Sequence, residues 1–415
     1  MKFGLIGEHL GHSFSPIIHR RLSGLPYDLR ELSPQELGDF LRTEPFRGIN
    51  VTIPYKQAVI PYLNALAHSA QLTGAVNAIV RAEDGTLTGY NTDMDGFIAL
   101  ARHSGIDFTG ADVVILGAGG AAKAVTAASK QLGAASVRFA VRTPKAPEQL
   151  PLADPSAFSD CDILVNATPV GMFPNVEGKL LDLSIFPKLR GVLDCIYNPL
   201  RTNLVLDAQE LGIPAEGGLR MLAAQAVRAS ELFRDCKIED SATDDICSFL
   251  LASRRNVVLC GMPSSGKSTI GKAVAERLNL EFVDTDDSVR ADAGVEIADI
   301  FKTEGEAGFR ERERRAVADA ASRQGAVIAT GGGAILNPKN VRALKRSGIL
   351  CFIDRPLELL QATQDRPLSA DRTALERLFA ERRPLYLAAA DMVVLNQGTP
   401  EQAVKTICNG LQSAV

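Results

Sequence analysis

Residues 261–269 read GMPSSGKST, and their types and spacing suit the binding of a nucleoside triphosphate. Gly261, Gly266, Lys267 and Ser268 match the pattern G-x-x-x-x-G-K-[ST], in which backbone N–H groups and a helix N-terminus face the phosphates. The lysine supplies positive charge, and the serine hydroxyl can hold Mg²⁺. An apolar run, NVVLCG, precedes the loop, as the motif requires. The predicted ATP contacts are Gly261, Ser264, Gly266, Ser268 and Thr269.

A second glycine-rich loop lies much earlier, in VVILGAGGAAKAV at residues 113–125. A strand followed by closely spaced glycines and a helix of small residues is typical of a dinucleotide site, although a mere tight turn gives the same pattern. The next strand ends in FAVRTPK, which offers cations where an NAD site usually has a carboxylate. We therefore predict NADP over NAD, the alternative being that these cations are exposed loop residues. The predicted contacts here are Gly117, Gly119, Gly120, Ala121, Arg142, Thr143 and Lys145.

Composition excludes several classes of protein. The chain has 415 residues and a net charge of −4, which gives no general attraction to nucleic acid or to membranes. Its seven cysteines are scattered without a CxxC pair, which favours reduced thiols over disulfides or zinc. The N-terminus shows no leader and no apolar run reaches membrane-spanning length. We expect a cytoplasmic protein whose partners are small-molecule substrates, with neither nucleic acid nor a membrane among them.

Short apolar strands alternate with helical patterns along the chain, which predicts α/β architecture. MKFGLIG, YDLREL and GINVTI read as strands, and a hairpin turn is predicted at Asp84-Gly85. Between DVVILGAGG and GVLDCIYN, the strand series is that of a doubly wound sheet, and a second series begins with NVVLCG. We find no internal repeat, and the junction between the two series is short.

Five later segments accompany the phosphate loop: FVDTDDSV, GFRERE, TGGGAI, QDRPLSADR and AERRPLYLAA. Taken singly, each arginine reads as a solvated helix charge. Together and in this order they resemble shikimate kinase over residues 255–415. Another small-polyol kinase, such as gluconate kinase, shares the phosphate loop but lacks this set.

The kinase resemblance implies a role for each matching residue. Asp286 would be the base and Arg366 would meet the transferring phosphoryl group at a lid, with Lys267 as the third catalytic residue. Asp284 would support Mg²⁺ together with Ser268. Arg310, Gly332 and Arg382 would hold shikimate, the two guanidinium groups pairing with its carboxylate. Glu313, one helical turn after Arg310, can orient that arginine.

The first half carries GHSFSPIIH, NVTIPYK, GAVNAIV and GYNTDMDG before the dinucleotide loop, and NATPVGM, DCIYNP and MLAAQA after it. Polar residues in such clusters commonly form caps and turns. In this order they resemble shikimate dehydrogenase over roughly residues 1–250. The resemblance implies Lys56 and Asp93 as the catalytic pair, with the ammonium delivering a proton to the oxygen of the reduced ketone.

The same resemblance implies the remaining contacts. The substrate would be held by Ser13, Ser15, Thr52, Asn77, Tyr197 and Gln225, with Asn50 as a further candidate. The nicotinamide side would be lined by Asn166, Thr168, Met172 and Gly218. Arg220 stands where the family frequently has glycine, so it either narrows the nicotinamide pocket or adds a contact to it.

The two loops together predict two fused enzymes that use one intermediate. We expect a substrate domain at 1–105 completed by helices from about 217–250, an NADP-binding Rossmann domain at 106–216, and a P-loop kinase domain with a lid at 255–415. The implied reactions are the NADPH-dependent reduction of 3-dehydroshikimate and the ATP-dependent phosphorylation of shikimate. Two alternatives stay open: an NAD-dependent quinate/shikimate dehydrogenase in the first half, and a ligand sensor without catalysis.

Overall fold

The computed structural model describes residues 1–11, 13–361 and 371–413, and the chain divides into two units, Met1–Cys247 and Ser248–Val415. Both units are α/β, which confirms the predicted fold class. The division falls inside the helix Ala242–Arg254.

The first sheet of unit 1 is mixed and has six strands in the order β2-β1-β3-β5-β6-β4. Its elements are β1 Phe3–Gly7, α1 Ser15–Ser23, β2 Asp28–Glu31, α2 Leu37–Thr43, β3 Gly48–Val51, α3 Tyr55–Ala58, β4 Ala65–Leu66, α4 His68–Thr73, β5 Ala78–Arg81, β6 Leu87–Tyr90 and α5 Asp93–His103. β5 and β6 form the predicted antiparallel hairpin. Its turn needs Gly85, whose φ of 87° is a backbone conformation that other residues rarely adopt.

The second sheet of unit 1 is wholly parallel, in the order β12-β11-β10-β7-β8-β9. It comprises β7 Asp112–Leu116, α6 Gly120–Gln131, β8 Ser136–Val141, β9 Gln149–Pro151, β10 Ile163–Asn166, β11 Gly191–Asp194, α7 Asn203–Glu210 and β12 Ala215–Glu216. The central strands are continuous apolar runs because helices cover both faces of the sheet. Two further helices follow, α8 Leu219–Arg234 and α9 Ala242–Arg254. α8 packs against α5 and α1, and therefore returns to the first sheet.

Unit 2 is built on a five-stranded parallel sheet in the order β14-β15-β13-β16-β17. Its elements are β13 Asn256–Cys260, α10 Lys267–Leu278, β14 Glu281–Asp284, α11 Thr285–Ala293, α12 Ile297–Ser322, β15 Ala326–Ala329, α13 Pro338–Ser347, β16 Gly348–Asp354, α14 Arg372–Ala389, β17 Met392–Leu395 and α15 Pro400–Ser413. α12 contains a non-helical residue, Gly305, and is therefore two helical stretches in succession. The central strands of the sheet are buried, so the polar loops that follow them meet at one edge.

Candidate functional site

Lys56 and Asp93 form an ion pair in unit 1, with 2.6 Å between Nζ and Oδ2. Lys56 lies in α3 and Asp93 is the first residue of α5, where the helix dipole favours a carboxylate. Their side chains are 20% and 13% exposed, so the pair is shielded yet reachable. A side chain added at Gly120 would begin 3.8 Å from Lys56. The sequence-predicted catalytic pair therefore lies beside the dinucleotide loop.

A hydrogen-bonded group of predicted substrate residues continues from this pair. The Asn77 amide nitrogen donates to the Thr92 hydroxyl at 3.1 Å, and the Thr92 backbone N–H donates to Asn77 Oδ1 at 2.7 Å. Thr92 Oγ1 also lies 3.4 Å from Gln225 Oε1 on α8. Thr92, which precedes Asp93, is not among the sequence-predicted site residues, although it lies within the GYNTDMDG motif.

The other predicted substrate residues lie around the start of α1. The backbone N–H of Ser15 donates to Ser13 Oγ at 3.2 Å, and Phe14 between them packs against Tyr197 with ring centroids 5.4 Å apart. Thr52 is half-buried after β3. The Phe14–Tyr197 contact thus brings the GHSFSPIIH and DCIYNP motifs together at the start of α1.

The dinucleotide loop shows why its glycines are needed. Gly117 has a φ of 96°, and a Cβ there would also approach Thr168 Cγ2 to 2.8 Å. No atom lies within 4 Å of the position a Cβ would take at Gly119, which leaves open space at the N-terminus of α6. Such a position admits close approach of a pyrophosphate to the backbone. Ala121 follows within the first turn of the same helix.

The predicted cofactor-selecting residues follow β8. Arg142, Thr143 and Lys145 are all exposed at the carboxyl end of that strand, and Asp or Glu occupies none of these three positions. Because cations there match a 2′-phosphate better than a 2′-hydroxyl, the arrangement favours NADP.

Asp194, at the end of β11, is a site residue that the sequence reasoning missed. Its carboxylate is fully buried and accepts hydrogen bonds from the Asn166 amide at 3.0 Å, the Ile196 backbone N–H at 2.9 Å and the Thr202 hydroxyl at 2.6 Å. Burial raises the pKa of Asp194 to about 6, and these three donors oppose the rise. Asp194 therefore fixes the loops that follow β10 and β11.

Asn166 and Thr168 form the other half of this arrangement. Asn166 Oδ1 accepts from the Thr168 backbone N–H at 2.9 Å and from its hydroxyl at 2.7 Å. The Asn166 side chain is thus fully used by protein partners, so its predicted contact with the nicotinamide stays a prediction. Met172, in the same loop, is 44% exposed. Gly218, at the N-terminus of α8, has no room for a side chain against the Cys195 carbonyl.

Arg220, predicted to lie at the nicotinamide pocket, forms an ion pair with Asp244. Its guanidinium is 13% exposed and donates to Asp244 Oδ1 at 2.7 Å, which joins the first turn of α8 to that of α9. From the sequence, Arg220 was expected either to narrow the nicotinamide pocket or to add a contact to it. The ion pair with Asp244 gives this arginine a third role.

In unit 2, the phosphate loop connects β13 with α10. Gly266 has a φ of 92° and Ser264 a φ of 61°, and the Ser264 hydroxyl donates to the Gln361 carbonyl at 3.0 Å. The buried Lys267 ammonium donates to the carbonyls of Gly261 at 3.0 Å and Met262 at 2.9 Å. The lysine is therefore held over its own loop.

The residues predicted to support Mg²⁺ are adjacent. The Ser268 hydroxyl, in the first turn of α10, donates to Asp284 Oδ2 at 2.7 Å at the end of β14. Asp284 Oδ1 also caps α11 by accepting the Asp286 backbone N–H at 3.0 Å. A hydroxyl and a carboxylate oxygen are hard donors of the kind that Mg²⁺ prefers, so the residues present fit the ion. Thr269 follows at the exposed helix surface.

The predicted shikimate residues of unit 2 converge on the loop of three glycines after β15. A side chain at Gly331 would collide with the Asp286 carboxylate, and one at Gly333 would collide with Arg310. Arg382, on α14, donates to the Gly332 carbonyl at 3.0 Å. The Asp286 carboxylate and the Arg310 and Arg382 guanidinium groups thus lie around the same glycine loop.

Glu313 orients Arg310 as the helical spacing predicts. Its Oε2 accepts from Arg310 Nη1 at 2.9 Å, and its side chain is only 2% exposed. Burial raises the pKa of Glu313, while the Arg310 charge opposes that rise. On the exposed side, Glu306 pairs with the same guanidinium at 3.0 Å.

Tyr386 is a second residue that the sequence reasoning missed. Its buried hydroxyl lies 2.9 Å from the Gly261 carbonyl of the phosphate loop and 2.5 Å from the Gly332 carbonyl of the glycine loop. No spacing rule links residues so far apart in the chain. Arg366, the predicted contact of the phosphoryl group, lies outside the described residues, and so do residues 368–370 of the predicted lid, LSADRTALE. The rest of that segment forms the N-cap and first turn of α14.

Comparisons with known proteins match both units. A family model described as shikimate dehydrogenase substrate binding domain matches residues 5–79, and one described as shikimate kinase matches residues 263–412. The shikimate dehydrogenase (NADP(+)) of Clostridium beijerinckii is 34% identical over 262 residues, which cover 59% of this chain and 96% of that protein. The corresponding protein of Shouchella clausii is 38% identical over 252 residues, 55% of this chain and 91% of that protein.

Solved structures resemble the same part of the chain. A chorismate mutase/shikimate 5-dehydrogenase fusion protein from Clostridium acetobutylicum has a TM-score of 0.56 and 32% identity, covering 60% of this chain and 96% of that one. The Thermus thermophilus shikimate 5-dehydrogenase in complex with NADP(H) and shikimate has a TM-score of 0.52 and 32% identity, covering 60% and 98%. A Corynebacterium glutamicum quinate dehydrogenase in complex with NAD has a TM-score of 0.53 and 29% identity, covering 59% and 98%.

Within the described ranges, none of the helices is at once long enough and apolar enough to traverse a bilayer. The alignment with the Clostridium beijerinckii protein spans nearly its whole length but only 59% of this chain, about the length of unit 1. The residues matched by the shikimate kinase family model lie in unit 2. The chain therefore belongs to the shikimate dehydrogenase family and carries a shikimate kinase domain as well, so that it is a bifunctional enzyme of the shikimate pathway.

Proposed function

We propose that unit 1 reduces 3-dehydroshikimate to shikimate with NADPH and that unit 2 phosphorylates shikimate at its 3-hydroxyl with ATP. The observation that carries this proposal is the Lys56–Asp93 pair, 2.6 Å apart, which lies beside the glycine loop after β7, with cations after the next strand, β8. We assign residues 1–105 with about 217–250 to the substrate domain, 106–216 to the NADP-binding domain and 255–415 to the kinase domain.

The Lys56 ammonium would act on the oxygen of the substrate ketone. When bound, NADPH supplies the hydride that reduces the carbonyl carbon. Negative charge then develops on the carbonyl oxygen, where the Lys56 ammonium stabilises the charge and donates a proton. Asp93 holds that ammonium in place, and the group of Asn77, Thr92 and Gln225 would orient the ring.

In unit 2, Asp286 would accept the proton of the substrate hydroxyl as the hydroxyl oxygen attacks the γ-phosphorus of ATP, and the bond from that phosphorus to the β-phosphate oxygen breaks to release ADP. Arg310 and Arg382 would pair with the substrate carboxylate, for which a guanidinium fork is the better cation. Ser268 and Asp284 would hold Mg²⁺, which neutralises phosphate charge when bound. Lys267 would exchange its loop carbonyls for phosphate oxygens, since a charged acceptor is stronger than a neutral one.

Product analysis by mass spectrometry tests both reactions on one chain. The purified protein receives 3-dehydroshikimate and NADPH, once alone and once with ATP and Mg²⁺. We expect shikimate in the first sample and shikimate 3-phosphate in the second. Shikimate in both samples would contradict the kinase assignment, and no turnover in either would favour a ligand sensor.

An NAD-dependent quinate or shikimate dehydrogenase is the second candidate for unit 1, because a quinate dehydrogenase in complex with NAD is among the similar structures. The exposed Arg142, Thr143 and Lys145 argue against it, since a 2′-hydroxyl gains little from cations. Comparing kcat/KM for NADPH and NADH, and for the oxidation of quinate and shikimate, separates the two candidates. A preference for NADH with quinate would overturn the first.

A further inference from the structure

A tyrosine outside every motif of the sequence lies behind the predicted substrate residues. Tyr27 is 6% exposed, and its hydroxyl donates to Asn50 Oδ1 at 2.7 Å. The Asn50 amide nitrogen in turn donates to the Asn77 carbonyl at 3.1 Å. An asparagine amide presents a different group when it is flipped, so the hydrogen bond from Tyr27 keeps the Asn50 oxygen on one side. The NH₂ group is then held on the side of Asn77.

The same hydroxyl also meets the start of α1. Burial raises the pKa of Tyr27 well above its ordinary value, and a hydrogen bond with the Ser15 side chain opposes that rise. Ser15 is a predicted contact of the substrate carboxylate. One phenol hydroxyl therefore stands between Ser15 and Asn50, which come from α1 and β3.

The Tyr27 ring is held rigidly by a buried histidine. The rings of His19 and Tyr27 are stacked with centroids 4.1 Å apart and planes within 3°. His19 Nδ1 lies 2.8 Å from Ser230 Oγ on α8. Burial lowers the pKa of His19 to about 3, so the imidazole stays neutral near pH 7. The ring stacked on Tyr27 therefore carries no charge at that pH.

We propose that Tyr27 is a positioning residue of the dehydrogenase site, which orients Ser15 and Asn50 toward the substrate. This inference rests on the function proposed for unit 1 and extends it to a residue that does not touch the reacting atoms. The hydroxyl should act on substrate affinity alone, because its partners belong to the predicted substrate group and none of them to the dinucleotide loop.

Tyr27→Phe in the full chain is the test, because it removes only the hydroxyl. Tyr55→Phe is the matched control: Tyr55 is 2% exposed, lies in the same domain and donates to the Leu32 carbonyl at 2.5 Å. We expect Tyr27→Phe to raise KM for 3-dehydroshikimate about tenfold, as loss of one buried hydrogen bond implies, with KM for NADPH and the kinase rate unchanged. Tyr55→Phe should leave KM for 3-dehydroshikimate within about twofold of wild type.

Two results would overturn the inference: an unchanged KM for 3-dehydroshikimate in Tyr27→Phe, or an equal rise in both variants. A calorimetric measurement of shikimate binding at equilibrium tests the positioning role of Tyr27 separately from the proposed reductase function. Shikimate is expected to bind once in unit 1 and once in unit 2. Weaker binding at only one of these two sites in Tyr27→Phe would support the positioning role even in a chain without reductase turnover. Binding identical to that of the wild-type chain would exclude it.

Discussion

Lys56 in unit 1 and Lys267 in unit 2 are both predicted to act on developing negative charge, yet their ammonium groups rest on different partners. Lys56 is paired with a carboxylate, that of Asp93. Lys267 donates, among its contacts, to the carbonyls of Gly261 and Met262 in its own loop. A charged partner holds the ammonium firmly in the absence of ligand, whereas carbonyl dipoles yield to phosphate oxygens. On the proposed function, the Lys56–Asp93 pair would keep its contact when the cofactor binds, whereas Lys267 would exchange its loop carbonyls for phosphate oxygens.

The largest expected effects come from removing either ammonium. Lys56→Met should lower kcat for reduction by about 10²–10⁴, the usual contribution of an acid–base group, and leave phosphorylation of added shikimate unchanged. Lys267→Met should have the reverse selectivity. Each variant serves as the folding control for the other, with both rates measured on the same preparation. A substitution that abolished both activities would contradict the separation of the two sites.

Substitutions at Asp194 test whether the dehydrogenase site depends on the buried carboxylate that holds the loops after β10 and β11. Asp194→Leu removes the carboxylate that accepts from Asn166, Ile196 and Thr202, and we expect kcat/KM for reduction to fall about 10- to 100-fold. Asp194→Asn keeps an acceptor, so it should retain most of the activity. Asp162→Asn, at the opposite end of β10, is the control and should behave as wild type. Equal losses in Asp194→Leu and Asp194→Asn would contradict the role as acceptor.

The same residue predicts a pH dependence of stability. The pKa of Asp194 is raised from 3.8 to about 6 in the folded protein, so the folded state binds this proton more tightly than the unfolded state. This contribution is therefore fully present below about pH 4 and is lost as pH rises through about 6; it amounts to roughly 3 kcal/mol. Between pH 7 and 5, the unfolding free energy of wild type relative to Asp194→Asn should rise. A constant difference in denaturant titrations would exclude the shift.

A smaller effect, on KM for shikimate, is expected when the Glu313 carboxylate that pairs with Arg310 is removed. Glu313 and Glu306 contact the same guanidinium, but their side chains are 2% and 56% exposed. Glu313→Gln removes the buried carboxylate that pairs with Arg310 and should raise KM for shikimate about tenfold in the kinase reaction. Glu306→Gln should change it less than about twofold, because exposed pairs contribute little. Similar effects of both would show that burial does not decide the strength of this pair.

The smallest effect is predicted for Arg220, where this chain departs from the frequent glycine. Its partner Asp244 is 61% exposed, so the pair should contribute at most about 1 kcal/mol to stability. Arg220→Ala should leave KM for NADPH unchanged, because the guanidinium is turned toward α9. A change in that KM of more than about threefold would place the arginine in the pocket after all.

The sequence predicted the motif residues well because their positions follow local rules. The glycine loops, the hairpin at Gly85 and the Arg310–Glu313 spacing each depend on neighbours within one turn or one strand connection. Tyr27, Asp194 and Tyr386 could not be found in this way. Their hydrogen-bond partners lie as far as 125 residues away, as for Tyr386 and Gly261, and no periodicity records such contacts. Cofactor contacts and the place of Arg366 stay predictions.

On the proposed function, the Tyr386 hydroxyl would couple the binding of the two ligands of the kinase unit. It carries a single hydrogen, yet it lies within bonding distance of one carbonyl in the phosphate loop and one in the glycine loop. Donation to one carbonyl withdraws the hydrogen from the other, so a ligand that alters either loop shifts the hydroxyl rotor. Thermodynamic reciprocity then requires that ATP changes the affinity for shikimate by the same factor as shikimate changes the affinity for ATP.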